Sequence, residues 1–81
     1  MTLKIILFAS LAQDLGTGQI TLEVAENATV GDVLAELSAL HPQVAALGGH
    51  LAVAVNHRYA DVGQRLSAHD EVALIPPISG G

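Results

Sequence analysis

The chain has 81 residues, no cysteine, and three basic against eight acidic residues, which gives a formal net charge of −5. A domain of this length buries only about 60–65% of the surface that its unfolded chain exposes, which disfavours a self-sufficient enzyme with a deep active site. The lack of cysteine excludes disulfides, zinc–thiolate sites and a thiol nucleophile, and three basic residues cannot neutralise the phosphates of a nucleic acid.

The N-terminal segment, residues 1–8, is apolar but has no basic stretch and no cleavage site, so we expect no signal peptide. No apolar run approaches the roughly 20 residues that a membrane helix needs. We therefore expect a cytoplasmic protein that binds neither membranes nor nucleic acid. Hydrophobic residues make up 51% of the chain and charged residues 14%. This surplus predicts that some apolar surface stays exposed for partners.

The first elements in chain order are two strands. Residues 3–9 are branched and apolar with Lys4 as the one charge, and they predict a strand buried on most of both faces. Residues 10–16 predict a short turn with helical character. Residues 19–24 alternate polar and apolar side chains, which predicts a half-buried strand antiparallel to the first.

One clear helix follows. Thr29 and Asp32 have the spacing of a capping box, with Asp in place of the usual Glu. Apolar residues then recur at helical spacing over residues 30–40 and form one stripe that can cover a sheet. Pro42 disfavours helical geometry at His41, so the helix is predicted to end there.

The second half of the chain predicts three more strands after a turn over residues 43–47. They cover residues 51–55, a short edge strand at residues 59–62, and residues 71–75, with Leu66 anchoring the loop before the last strand to the core. The resulting order β-β-α-β-β-β predicts an α+β fold of the β-grasp, or ubiquitin-like, type. It is a mixed sheet of four to five strands packed on one main helix, with the first and last strands side by side at the centre.

The end of this single domain, residues 1–81, carries the predicted chemistry in Pro76, Pro77, Ile78, Ser79, Gly80 and Gly81. The prolines lack N–H groups and end the strand, and the glycines can thread a channel that is too narrow for other residues. Six extended residues span roughly 20 Å. Residues 76–81 are therefore predicted to be a protruding flexible tail that carries the Gly81 carboxylate into another protein's active site. An adenylated carboxylate can accept sulfur or form an amide.

The chain resembles the small, sulfur-carrying subunit of molybdopterin synthase along essentially its whole length. The specific part is the Pro-Pro-x-x-Gly-Gly ending within residues 70–81, and shorter matches occur at residues 7–9, 29–32 and 54–56. Two positions depart from that family's pattern. The pair Ala12-Gln13 stands where Arg-Glu is common, and His69 stands where Gly is usual, at a position that often requires positive φ.

The resemblance implies that the chain is not an enzyme on its own and binds no cofactor. An adenylating enzyme of the ubiquitin-activating type would consume ATP to activate Gly81, and a persulfide sulfur donor would convert it to a thiocarboxylate. The large catalytic subunit of molybdopterin synthase, which forms a heterotetramer with the small one in that family, would receive the tail. The sulfur would then reach cyclic pyranopterin monophosphate in molybdenum cofactor biosynthesis. We expect Phe8, Leu74 and Ile75 to belong to the partner surface.

Other functions stay open on the residues alone. The same tail chemistry serves a sulfur carrier for thiamine or another pathway, and it serves a ubiquitin-like protein modifier that forms isopeptide bonds through Gly81. A pure interaction module with an incidental tail is the third alternative. The four histidines lie in turns or at element ends without metal-ligand spacing, so no metal site is predicted. Ser79 has no evident base near it and is not expected to be a nucleophile.

Overall fold

The computed structural model describes residues 1–77. The elements of this part of the chain, in order, are β1 (Thr2–Leu7), α1 (Ala9–Leu15), β2 (Gln19–Glu23), α2 (Val30–Leu40), α3 (Pro42–Leu47), a 3-10 turn (Gly48–His50), β3 (Ala52–Val55), β4 (Arg58–Tyr59) and β5 (Glu71–Ile75).

The five strands form one mixed sheet in the order β2-β1-β5-β3-β4. β1 and β5 pair in parallel at its centre, whereas β1 with β2, β3 with β5 and β3 with β4 pair antiparallel. The prediction of a β-grasp sheet on one main helix, with the first and last strands adjacent, is confirmed.

The core lies between one face of this sheet and the helices. α2 contributes the buried residues Val30, Val33 and Leu37, and Leu66 anchors its loop as predicted. Alternating residues of the strands face this core, among them Leu3, Ile5, Leu7, Val53, Val55, Val72 and Leu74. The prediction that the first strand is buried on most of both faces is wrong. Successive strand residues point to opposite faces, and Thr2 and Lys4 on the second face are exposed.

A left-handed residue ends the first strand earlier than predicted. Ala9 has φ of 49°, and the chain turns there from β1 into α1. The strand therefore ends at Leu7, and the predicted helical turn is a seven-residue helix. Alanine carries no sequence signal for this conformation, which costs an L-residue roughly 1–2 kcal/mol.

The free backbone amides at the start of α2 donate to side-chain and backbone acceptors. The Asp32 amide donates to Thr29 Oγ1 at 3.2 Å, and the Thr29 amide donates to Asp32 Oδ2 at 3.0 Å, which confirms the capping box. The next two amides, of Val30 and Gly31, donate to the carbonyls of residues 64 and 62 at 2.9 and 2.8 Å. The long loop before β5 is thereby fastened to the helix start.

The edge hairpin differs from its predicted extent. Asn56 and His57 have φ of 51° and 70°, and two consecutive positive values are typical of a type I′ turn, which matches the twist of the flanking strands. The turn leaves only Arg58 and Tyr59 to pair with β3. The predicted edge strand over residues 59–62 is therefore shorter and starts one residue earlier.

We expect Thr29→Ala to lower the free energy of unfolding by about 1 kcal/mol, because it removes the side-chain acceptor at the start of α2. Urea denaturation followed by circular dichroism measures this change. Thr21→Ala, at an exposed position on β2, is the matched control and should lose markedly less. Equal losses in the two variants would show that the cap does not stabilise the helix.

Candidate functional site

The chain leaves the sheet where β5 ends. Pro76 is buried and Pro77 is exposed, so Pro76 belongs to the packed domain and not to a protruding tail as predicted. The remaining predicted tail residues, Ile78, Ser79, Gly80 and Gly81, lie outside the described residues. Of the predicted tail, the structure thus describes one exposed residue, Pro77, two positions after the end of β5.

A hollow of about 250 Å³ lies on the face of the sheet opposite the helices, beside the start of the tail. Its low centre is formed by Ala54 and Ala73, which are paired across β3 and β5. Larger side chains surround these two alanines, namely Phe8, Tyr59 and Ile75. Phe8 is 48% exposed and Tyr59 is 79% exposed. This apolar depression is the exposed apolar surface that the composition predicts.

Phe8 is held at this surface by the backbone on both sides of it. Its amide donates to the carbonyl of Leu74 at 3.3 Å, which continues the β1–β5 pairing by one residue. Directly after Phe8, Ala9 has a positive φ and turns the chain into α1. Local backbone strain often lies at functional sites, and here it lies next to a half-exposed aromatic residue.

The structure corrects one residue of the predicted partner surface. Leu74 is 0% exposed and belongs to the core, because it shares a face with Val72 rather than with Ala73 and Ile75. Phe8 and Ile75 do lie together at the hollow. Leu74 therefore contributes to stability and cannot contact a partner directly.

Several residues of this surface were missed by sequence reasoning. Tyr59 and the two alanines reach the hollow because β3 and β4 lie beside β5, and this sheet order places residues distant in the chain next to one another. His57 and Glu71 complete one end of the hollow. His57 Nε2 lies 3.8 Å from Glu71 Oε1 and both side chains are exposed, so this contact contributes little to stability.

A group of hydrogen bonds fixes this end of the hollow. Asn56 Nδ2 donates to Asp70 Oδ1 at 2.8 Å, and the Glu71 amide donates to Asn56 Oδ1 at 3.0 Å. The second oxygen of Asp70 accepts from the Ser67 amide at 2.7 Å. The Asp70 carboxylate thus joins the turn after β3 to the start of β5. The positive φ expected at His69 is absent there, and non-glycine residues adopt it elsewhere in residues 1–77.

Within the described part of the chain, no group of three or more His, Asp or Glu residues is arranged to hold a metal ion. Likewise, no helix among residues 1–77 has the length and apolar character needed to span a membrane.

The sheet order and the packing on one main helix define a ubiquitin-like β-grasp protein. The chain belongs to the ThiS family, whose model matches residues 5–81. The matched residues include the predicted tail, residues 76–81.

Known relatives support this assignment. The chain is 39% identical over 83 aligned residues to small archaeal modifier protein 1 of Haloferax volcanii, with 93% of this chain and 95% of that protein covered. The crystal structure of that protein has a TM-score of 0.87 and 35% identity, with 100% of both chains covered. The molybdopterin synthase sulfur carrier subunit of Chlamydomonas reinhardtii is 34% identical over 83 residues, with 100% of both chains covered. The resemblance identified from the sequence is confirmed.

The same fold occurs in a solved complex. A chain in the complex of subunits 1 and 2 of the molybdopterin-converting factor from Helicobacter pylori has a TM-score of 0.63 and 22% identity, with 100% of both chains covered. At this identity the likeness concerns the fold alone.

We expect Leu74→Ala to lower the free energy of unfolding by about 2–5 kcal/mol, because it leaves a cavity in the core. Phe8→Ala removes a side chain that is half exposed and should cost about 1 kcal/mol. Urea denaturation of the two variants measures the difference. A Leu74 variant as stable as the Phe8 variant would contradict the assignment of Leu74 to the core.

Proposed function

We propose that this protein is the sulfur-carrier subunit of a molybdopterin synthase and that the Gly81 carboxylate is its working group. The observation that carries the proposal is the Pro-Pro-x-x-Gly-Gly ending of a ThiS-family chain, placed directly after the central strand β5. The full-length match to the sulfur carrier subunit of Chlamydomonas reinhardtii supports it.

The chemistry starts from a carboxylate that is inert until it is activated. In the proposed cycle, a carboxylate oxygen of Gly81 attacks the α-phosphorus of ATP on an adenylating enzyme, and pyrophosphate leaves. A persulfide sulfur from a donor protein then attacks the acyl carbon, and AMP leaves. The product is an acyl disulfide between Gly81 and the donor. A second thiol then attacks the donor's own sulfur, forms a disulfide with it, and releases the thiocarboxylate on Gly81. The carrier then gives this sulfur to cyclic pyranopterin monophosphate.

The carrier itself contributes two things to this cycle. One is the terminal group, and the other is a surface that positions the tail in its partners. ATP is consumed by the activating partner, and the catalytic side chains belong to the activating enzyme, the persulfide donor and the large subunit. The chain binds no cofactor of its own in this account.

The hollow, on the face of the sheet opposite the helices, is the proposed docking surface for the large catalytic subunit. Aromatic side chains are enriched among the interface residues that dominate binding energy. Phe8 and Tyr59 are exposed and lie on either side of Ala54 and Ala73 in the hollow. Ile75 lies at the same surface immediately before the tail. One partner can therefore cover the face and receive the tail at once. A heterotetramer of two small and two large subunits fits this proposal.

A protein modifier is the second candidate, because small archaeal modifier protein 1 is 39% identical to this chain. Both functions pass through the same acyl-adenylate and differ in the final acceptor, which is sulfur for the carrier and a lysine amine for the modifier. Incubation with ATP, an activating enzyme and a cell extract separates them. Peptides of other proteins joined to Gly81 through a lysine side chain would favour the modifier.

One alanine appended after Gly81 should abolish molybdopterin formation in a reconstituted system with ATP, activating enzyme, persulfide donor and large subunit. The added residue moves the terminal carboxylate roughly 3.5 Å farther along the chain, and its Cβ is too large for a channel that admits only glycine. Conversion of cyclic pyranopterin monophosphate is the measurement, with retained binding to the large subunit as the control for folding. Full activity of the extended chain would refute the terminal chemistry.

Phe8→Ala should weaken binding to the large subunit by about thirtyfold, the loss expected for an interface residue of roughly 2 kcal/mol. Leu40→Ala is the matched control, because Leu40 is 58% exposed at the end of α2 on the helical side of the molecule. Calorimetric titration of both variants tests the surface. Unchanged affinity of the Phe8 variant, or an equal loss in both, would place the interface elsewhere.

A further inference from the structure

β2 lies at one edge of the sheet, and the groove beside it shares no lining residue with the hollow. We propose that this edge and groove bind an extended, basic segment of a partner protein, which adds to the sheet as a sixth strand next to β2. The inference concerns a different edge of the sheet and does not depend on the proposed sulfur transfer.

The hydrogen-bonding pattern of β2 identifies which backbone groups face outward. Met1 and Val24 exchange both of their backbone bonds, at 2.6 and 2.9 Å. In an antiparallel pair such residues alternate with residues whose N–H and C=O groups point away from the partner strand. Counting back from Val24, Ile20 and Leu22 bond to β1, whereas Thr21 and Glu23 direct their backbone groups outward.

These outward groups are available for a further strand. Among residues 1–77, no hydrogen bond from the outward backbone groups of Thr21 or Glu23 is found. The preceding residue whose backbone groups face outward, Gln19, is different. Its amide and carbonyl both contact the Thr17 hydroxyl, at 3.3 and 3.0 Å. The Thr17 side chain thus closes one end of the edge, and the available length begins at Thr21.

The edge lacks most of the features that prevent strand addition. Proteins protect sheet edges with lysine, proline, bulges or very short strands. β2 is five residues long and contains neither lysine nor proline. The opposite edge, β4, is only two residues long. Of the two edges, β2 is therefore the one suited to main-chain pairing with an extended segment.

The groove next to this edge is acidic, which determines the charge of a segment that can bind there. A depression of about 410 Å³ lies between the end of β2 and α2 and is lined by Val24, Ala25, Ala28, Asp32, Glu36 and Glu23. Small apolar side chains form part of it, and Asp32 and Glu36 lie one helical turn apart along its α2 side. No basic residue lines this depression.

Charge complementarity therefore favours lysine or arginine at the alternate positions of the segment whose side chains face the groove, where Asp32 and Glu36 lie. A second copy of this chain is disfavoured as the occupant. Pairing two β2 edges would bring together two chains that each carry a net charge of −5, with the acidic groove of each copy beside the other. A nucleic acid is disfavoured for the same reason.

The test uses a capped heptapeptide of alternating valine and lysine, titrated into the isotope-labelled full chain and followed by amide chemical shifts. We expect the largest shifts at Thr21 and Glu23 and at the groove residues Asp32 and Glu36. The same peptide with its three central amides N-methylated should bind at least about fivefold more weakly, the loss that corresponds to one backbone hydrogen bond. A peptide with glutamate in place of lysine should not bind.

Matched variants separate backbone pairing from general attraction between opposite charges. Thr21→Pro removes an outward N–H at a position where an edge strand tolerates proline, and it should weaken binding at least about fivefold, whereas Thr21→Val keeps the N–H and should not. Glu36→Gln should weaken binding, whereas Asp14→Asn on α1 should not. Circular dichroism confirms folding of each variant.

Three results would overturn the proposal. They are equal binding of the N-methylated peptide, shifts centred on the Phe8 and Tyr59 face, and an equal effect of the Glu36 and Asp14 variants. If Thr21→Pro does not fold, the N-methylated peptide and the Glu36 variant still decide the question.

Discussion

The parallel pairing of β1 with β5 is the constraint on which the rest of the structure depends. Four residue pairs, from Lys4 with Glu71 to Leu7 with Leu74, join the first strand of the chain to the last. The core-facing side chains of both strands are buried against the helices, and each contributes about 1.5–3 kcal/mol. Because β5 lies between β1 and β3, the point where the tail begins is fixed by the most buried part of the molecule. The same pairing places Phe8 beside that point.

Periodicity and capping predict much of this fold, because burial on one face imposes them on the sequence. The alternation in β2, the apolar stripe of α2 and the pair Thr29 and Asp32 are local signals, and the structure confirms them except at Leu40, the last residue of the predicted stripe, which is exposed. The errors occur where a conformation has no local signal. Alanine does not favour the left-handed region, so the end of β1 at Ala9 could not be seen. The limits of the β3–β4 hairpin follow from the turn at Asn56, whose type depends on the two strands it joins.

The candidate site also has one part with a local sequence signal and one part without. The tail is predicted from residue types, because the prolines end the strand and the two glycines carry no side chains, and its role stays a prediction. The hollow is a product of sheet order, which brings Tyr59 and Ala54 next to Ala73 from separate parts of the chain. Leu74 was misplaced although its alternation with Ala73 and Ile75 was visible in the sequence. Its burial follows from having the same strand face as Val72.

The central claim is that sulfur is carried on Gly81, and mass spectrometry of the C-terminal peptide tests it most directly. The protein is incubated with ATP, an activating enzyme and a persulfide source, and then digested. The account predicts that one oxygen of the terminal carboxylate is replaced by sulfur. Oxidation of Met1, the sole methionine, adds nearly the same mass, so the change must be located in the terminal peptide. An unmodified terminus, under conditions that convert a known carrier to its thiocarboxylate, would contradict the account.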